Sequence, residues 1–270
     1  ITEINCAVRS ILERLVGHPE QPVAIDLEGR LGGQYPKIDL LQLQIDASEE
    51  GLPALTYVFD TLSNLKYALR NKGSQSLRAV LEDAKVVKVL HCCHGDASSL
   101  FVEHGITLRS AFDTGIADAL LTGNSVNRSL GKVLGVYLDE GSYEMSYKAT
   151  LIHEPNMFAI RPLTFRLFVY AYEDVLFCNR LYESQRALLK EQGRLELAFQ
   201  LTAQRCPPLS IPPNNVAHVS PTNVTVALVD GASVVCLRNR RTKHLSLPSV
   251  PYIENVIVKS QGIVAWATRM

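Results

Sequence analysis

The chain has 270 residues, 47% of them hydrophobic and 20% charged, an ordinary globular composition with core enough for one large domain or a domain plus a small one. No run of about 18 apolar residues occurs, which argues against a membrane span, and no basic-then-apolar leader is present. Formal charge is zero, but residues 1–205 carry 21 Lys and Arg against 25 Asp and Glu, a balance of −4, and residues 206–270 carry 6 against 2, a balance of +4. An acidic front and a basic tail suit a metal site in the first and a polyanion contact in the second. The six cysteines are scattered rather than framed as in a small secreted domain, which places the protein in a reducing intracellular compartment, cytoplasmic or nuclear. The sequence opens on Ile1 rather than Met, so it reads as an excerpt from which a targeting segment could be missing.

Residues 3–16 space Ile4, Ala7, Val8, Ile11, Leu12 and Leu15 for a short amphipathic helix. Pro19 and Pro22 break it before an apolar strand, residues 23–28, and Gly29 to Pro36 form a turn-rich loop. Leu40 to Ile45 predicts a second strand of alternating polarity, and Tyr57 to Phe59 a third. Leu62 to Leu81 has helical periodicity. Val86 to Leu90 is a buried strand followed by helices over 96–104 and 114–121, and a long helix runs from about Pro162 to Gln192. Strands first and helices interleaved predict an α/β layer with helices covering a mixed sheet over residues 1–205. Cys206 to Asn215 is a proline-rich linker. Residues 216–270 form a small β-rich region with strands at 224–229, 233–237, 255–259 and 262–267.

Side chains two apart on a strand share a face, so Asp26 and Glu28 point the same way. Like charges held that close repel unless a cation neutralises them. Asp96 lies where a strand gives way to a helix, a position at which side chains from the carboxyl ends of strands meet. Tyr170 and Asp174 are four apart and stack on one helical face. Asp113 reads as an N-cap before Thr114. His91-Cys92-Cys93-His94 has the residue types of a zinc site without its spacing, because consecutive residues cannot converge on one tetrahedral ion.

Asp26-x-Glu28, then Asp96 followed by Phe112-Asp113-Thr114, then Tyr170-x-x-x-Asp174 after Arg161-Pro162-Leu163-Thr164 resembles the three-motif signature of the DEDDy 3′–5′ exonucleases. These are the ribonuclease D-like branch of the ribonuclease H-like fold, and the phrasing is most similar to the Egalitarian-like exonuclease-domain group. The resemblance spans roughly residues 20–190. It implies a ribonuclease H-like mixed sheet flanked by helices and a metal-dependent 3′–5′ exonuclease acting on single-stranded RNA or DNA 3′ ends. It implies two Mg²⁺ or Mn²⁺ ions held by Asp26, Glu28, Asp96 and Asp174, with Asp26 shared between them and Tyr170 orienting the attacking water. Arg30, Arg109, Arg128 and Arg161 are candidates for the strand-binding groove, and the cluster Arg238 to His244 for a further contact. The alternative is a catalytically silent domain of this family that binds nucleic acid or a partner protein.

Overall fold

The computed structural model describes residues 2–18, 20–33, 35–47, 53–61, 69, 71, 73–74, 76–124, 128–138 and 156–206, and the backbone of four strands beyond them. The chain runs α1 (Thr2–Gly17), β1 (Val23–Arg30), β2 (Lys37–Ile45), β3 (Leu55–Asp60), α2 (Leu77–Glu82), β4 (Lys88–Leu90), α3 (His94–His104), β5 (Ala111–Asp113) and α4 (Thr114–Thr122). It continues through α5 (Leu130–Tyr137), a 3₁₀ turn (Met157–Ala159), α6 (Phe165–Leu176), α7 (Cys178–Glu191) and α8 (Leu195–Arg205). Strands β6 (Val224–Asp230), β7 (Ser233–Asn239), β8 (Asn255–Lys259) and β9 (Ile263–Ala267) follow, as the β-branched runs predict. No helix among the described residues is long and apolar enough to cross a membrane.

The sheet order is β5-β4-β1-β2-β3-β7-β6-β9-β8. β1, β2 and β3 form an antiparallel meander. β4 then returns parallel to β1, and β5 lies parallel to β4. This is the mixed, helix-flanked sheet expected from the element order. β1 is central to the first five strands, so both of its faces are covered and the run Val23 to Leu27 is apolar wherever it meets helices.

Strand parity divides the core. Val23, Ile25 and Leu27 of β1 join Leu41, Leu43 and Ile45 of β2 against α1, α2 and α3 on one face. On the other face Ala24 and Val89 meet α4, α5, α7 and α8, and Leu40 and Val58 meet α6. Asp26 and Glu28 belong to this second face, between the two apolar clusters.

Two helical expectations are corrected. A continuous helix over Leu62–Leu81 does not form, although residues 62–68 lie outside the described residues. Asn71 Oδ1 accepts the Gly73 amide, and Ser76 caps a new short helix by accepting from the Ala79 N–H. The stretch Pro162–Gln192 is two helices rather than one. Thr164 caps the first by accepting from the Leu167 amide, and the second starts after Phe177, at φ −114° and ψ 1°. Phe177 is itself buried. Burying this aromatic at the junction lets α6 cover β1–β3 while α7 turns to pack on α4. The proline-rich linker, from residue 207 onward, lies outside the described residues.

Candidate metal centre

β1 delivers Asp26 and Glu28, and the pairing of β1 with β2 slips immediately afterwards, between Glu28 and Gly29. Such a bulge bends the strand and re-aims the side chains beside it. Gly29 sits at φ +141°, and a Cβ there would clash with the Lys37 carbonyl oxygen and stand 2.9 Å from the Asp39 amide nitrogen. Only glycine fits this close approach of two backbones. Gly29→Ala is expected to cost about 1–3 kcal/mol of folding stability, seen as an earlier chemical-denaturation midpoint with an unchanged slope.

From the second face α6 brings Asp174, which is buried. Asp26, Glu28 and Asp174 offer carboxylate oxygens that all lie within 4.8 Å of one another. Tyr170, one helical turn before Asp174, packs its ring 5.6 Å from that of Phe158. Burial raises its phenol well above the usual range, and the charges of Asp174, Glu28 and Asp26 raise it further. At neutral pH this group is therefore a hydroxyl that donates, placed among the three carboxylates, and not a base.

Asp96 stands beside this trio rather than within it. It lies in the first turn of α3 and is 5% exposed. Burial pushes its carboxyl up to about 8. The charges of Asp113 and Asp174 add to the rise, and backbone N–H donors at Asp96 itself and Leu27 offset part of it. The bond to Leu27, which lies between Asp26 and Glu28, ties α3 to the strand carrying the pair.

Asp113 has the capping role its sequence context predicts. Its Oδ1 accepts from the amides of Gly115 at 2.8 Å, Ile116 at 3.3 Å and Cys92 at 3.0 Å, and its Oδ2 from Cys93 at 3.0 Å. One carboxylate thus joins the start of α4 to the turn that launches α3 and Asp96. Three of the four residues His91 to His94 send their side chains to separate partners. His91 Nδ1 and Nε2 lie 2.9 Å from Thr114 Oγ1 and the Arg128 carbonyl, His94 Nδ1 lies 2.8 Å from the Arg205 carbonyl, and Cys93 Sγ meets Cys206 Sγ at 3.0 Å.

Two of the candidate groove arginines are held by carboxylates within the fold. Arg161 donates from Nε to Asp60 Oδ2 at 2.6 Å and from Nη2 to Asp60 Oδ1 at 2.8 Å. Arg128 grips Asp118 through both ends of its guanidinium, and the Tyr137 hydroxyl donates to the same carboxylate. One polar residue beside the trio carries no motif. Gln42, on β2, pairs in register with Asp26 and is fully buried. Its only sequence trace is the interruption of an apolar strand by Gln-Leu-Gln.

Comparison with known proteins bears on the family and the fold. A family model described as 3′–5′ exonuclease matches residues 2–190. The piRNA biogenesis protein EXD1 of Bombyx mori is 25% identical over 167 residues, 60% of this chain and 48% of that protein. Exosome complex component 10 of Rattus norvegicus is 28% identical over 216 residues, 76% of this chain and 22% of that protein. The chain thus spans about half the length of one curated relative and about a fifth of the other. Among solved structures, RNase D of Trypanosoma brucei in complex with GMP superposes with a TM-score of 0.62 at 18% identity, over 80% of this chain and 66% of that one. RNase D of Escherichia coli superposes with a TM-score of 0.56 at 22% identity, over 74% and 48%. These likenesses bear out the ribonuclease H-like exonuclease fold.

Proposed function

The chain belongs to the 3′–5′ exonuclease family, and on that premise we propose that it removes nucleotides from the 3′ ends of single-stranded RNA by metal-assisted hydrolysis at the centre built from Asp26, Glu28, Asp174 and Asp96. The observation that carries this reading is the convergence of Asp26, Glu28 and Asp174 to within 4.8 Å, with the Tyr170 phenol close enough to feel all three charges. The donor set is wholly carboxylate oxygen, the chemistry that suits Mg²⁺ or Mn²⁺ rather than a thiophilic ion. Three carboxylates this close repel in the metal-free protein, so a divalent cation has a physical reason to bind. Asp26, Glu28 and Asp174 would hold the cation, with Asp96 beside them as a further carboxylate ligand.

When bound, such a cation lowers the pKa of a water and stabilises charge on the leaving oxygen. Tyr170 then donates its O–H to hold the attacking water in line, a role its raised pKa favours. RNA is preferred in this proposal because the trypanosome RNase D has been solved in complex with RNA, and the Bombyx mori relative is named for piRNA biogenesis. A silent scaffold would leave the clustering of like charges without a physical reason.

The test is degradation of single-stranded RNA and DNA carrying a label at one end. A 5′ label is expected to report a ladder of progressively shorter products, and a 3′ label immediate release of a labelled mononucleotide. Both should stop on chelation and resume with Mg²⁺ or Mn²⁺. Internal cuts, or no release with either metal, would refute the proposal.

A further inference from the structure

Between the two apolar clusters on the second face lies a buried polar row: Gln42 and Gln44 of β2, Thr56 of β3 and Asn179 of α7. Gln44 pairs with Ala24 and Thr56, one strand repeat away from Asp26, and Asn179 donates to the Gln44 carbonyl. Gln42 differs from its neighbours in two respects. Both atoms of its amide, Oε1 and Nε2, are buried without a hydrogen-bond partner among the described residues. It is also the member that stands directly opposite a carboxylate, because β1 and β2 are antiparallel and Asp26 pairs with Gln42. Residues opposite one another in an antiparallel pair share a face with Cβ atoms about 5 Å apart, a gap that a glutamine side chain spans.

A wholly unpaired buried amide is an expensive group to keep. A ligating carboxylate needs a donor that fixes its orientation while its remaining lone pairs face the ion. These two needs meet at one place in the fold. We propose that Gln42 is a positioning residue of the metal centre: its Nε2–H donates to the Asp26 carboxylate when a divalent cation is bound, and holds Asp26 in the ligating rotamer. The inference rests on the reading of the acidic trio as a divalent-cation site. In the metal-free protein the unpaired amide costs stability rather than adding to it. Its neighbour in register on β3, Val58, offers only an apolar side chain and no hydrogen-bond partner.

The experiment is an Mn²⁺ titration read by electron paramagnetic resonance on the parent chain and on Gln42→Met, which keeps the volume and removes the amide, with thermal melts in chelator alongside. The expected result is Mn²⁺ affinity weakened by about 10–100-fold, with a metal-free melting temperature equal to or above the parent's. Equal affinities would overturn the role of Gln42 and leave the proposed function standing. A lower metal-free melting temperature, or failure of Gln42→Met to fold in chelator, would make the residue structural and equally overturn it. Absence of Mn²⁺ binding by the parent would remove the reading on which the inference rests, and the inference with it.

Discussion

Asp26→Asn is expected to yield a protein that melts higher than its parent without metal and releases nucleotides at least roughly 10²–10³-fold more slowly with it. The first half follows from charge. Asp26 shares a space of 4.8 Å with Glu28 and Asp174, and like charges at that range and intermediate dielectric oppose each other by on the order of 1–3 kcal/mol. Asparagine keeps the shape of the side chain and the antiparallel pairing of Asp26 with Gln42, so the substitution removes repulsion without removing packing. A gain of that order raises the melting temperature by a few degrees for a domain of this size, at about 2–4 °C per kcal/mol. The second half follows from the position of Asp26 at the middle of the proposed ligand set. Losing one electrostatic contributor to a transition state costs about 10²–10³ in rate, and a carboxylate that would ligate the cation contributes at least as much. The metal-induced rise in melting temperature should shrink with the activity. Parent-like turnover in this variant would take the trio out of the chemistry.

What the sequence discloses about this centre depends on how far apart its parts lie along the chain. Asp26 and Glu28 are legible because a strand repeats every two residues, and Tyr170 with Asp174 because a helix brings residues four apart together. Asp113 is legible as a cap because its partners, the amides of Gly115 and Ile116, are two and three residues away. Gln42 is not legible. Its place opposite Asp26 is set by the length of the loop between β1 and β2 and by the bulge at Gly29, and a shift of one residue would turn it to the other face. Arg161 and Arg128 look like free cations in sequence for the same reason. Asp60, the partner of Arg161, lies 101 residues away, and a solvated arginine and a half-buried bidentate one have the same neighbours in the chain. The break at Phe177 carries neither glycine nor proline. An apolar residue fits helical periodicity equally well inside a helix or at a buried junction, so periodicity passes through the break.

A fall of stability with rising pH in the metal-free protein, which bound metal cancels, is the other large effect. Asp96 has its carboxyl pushed up to about 8 by burial, against an ordinary value of 3.8. Between those values the folded protein holds a proton that the unfolded chain has released. The stabilisation this gives is complete below about pH 4 and is lost as pH rises toward 8, with a steepest slope of about 1.4 kcal/mol per pH unit. Asp39 and Asp46, whose carboxyls burial also raises, act in the same direction. Lys88 acts the other way. It is fully buried, burial lowers its ammonium to about 7, and its deprotonation in the folded state makes stability rise with pH above 7. The window in which Asp96 dominates is therefore about pH 5 to 7, where the metal-free protein should lose stability with every unit. Cations bind the carboxylate and displace its proton, so the rise in melting temperature on adding Mg²⁺ or Mn²⁺ should grow across the same window. Asp96→Asn isolates the group: it removes the proton exchange, flattens the metal-free slope between pH 5 and 7, and leaves the rise driven by Lys88 above pH 7. Equal slopes in parent and variant would assign the titration to another residue and leave Asp96 ionised in the folded protein, where its charge adds to the repulsion that a cation relieves.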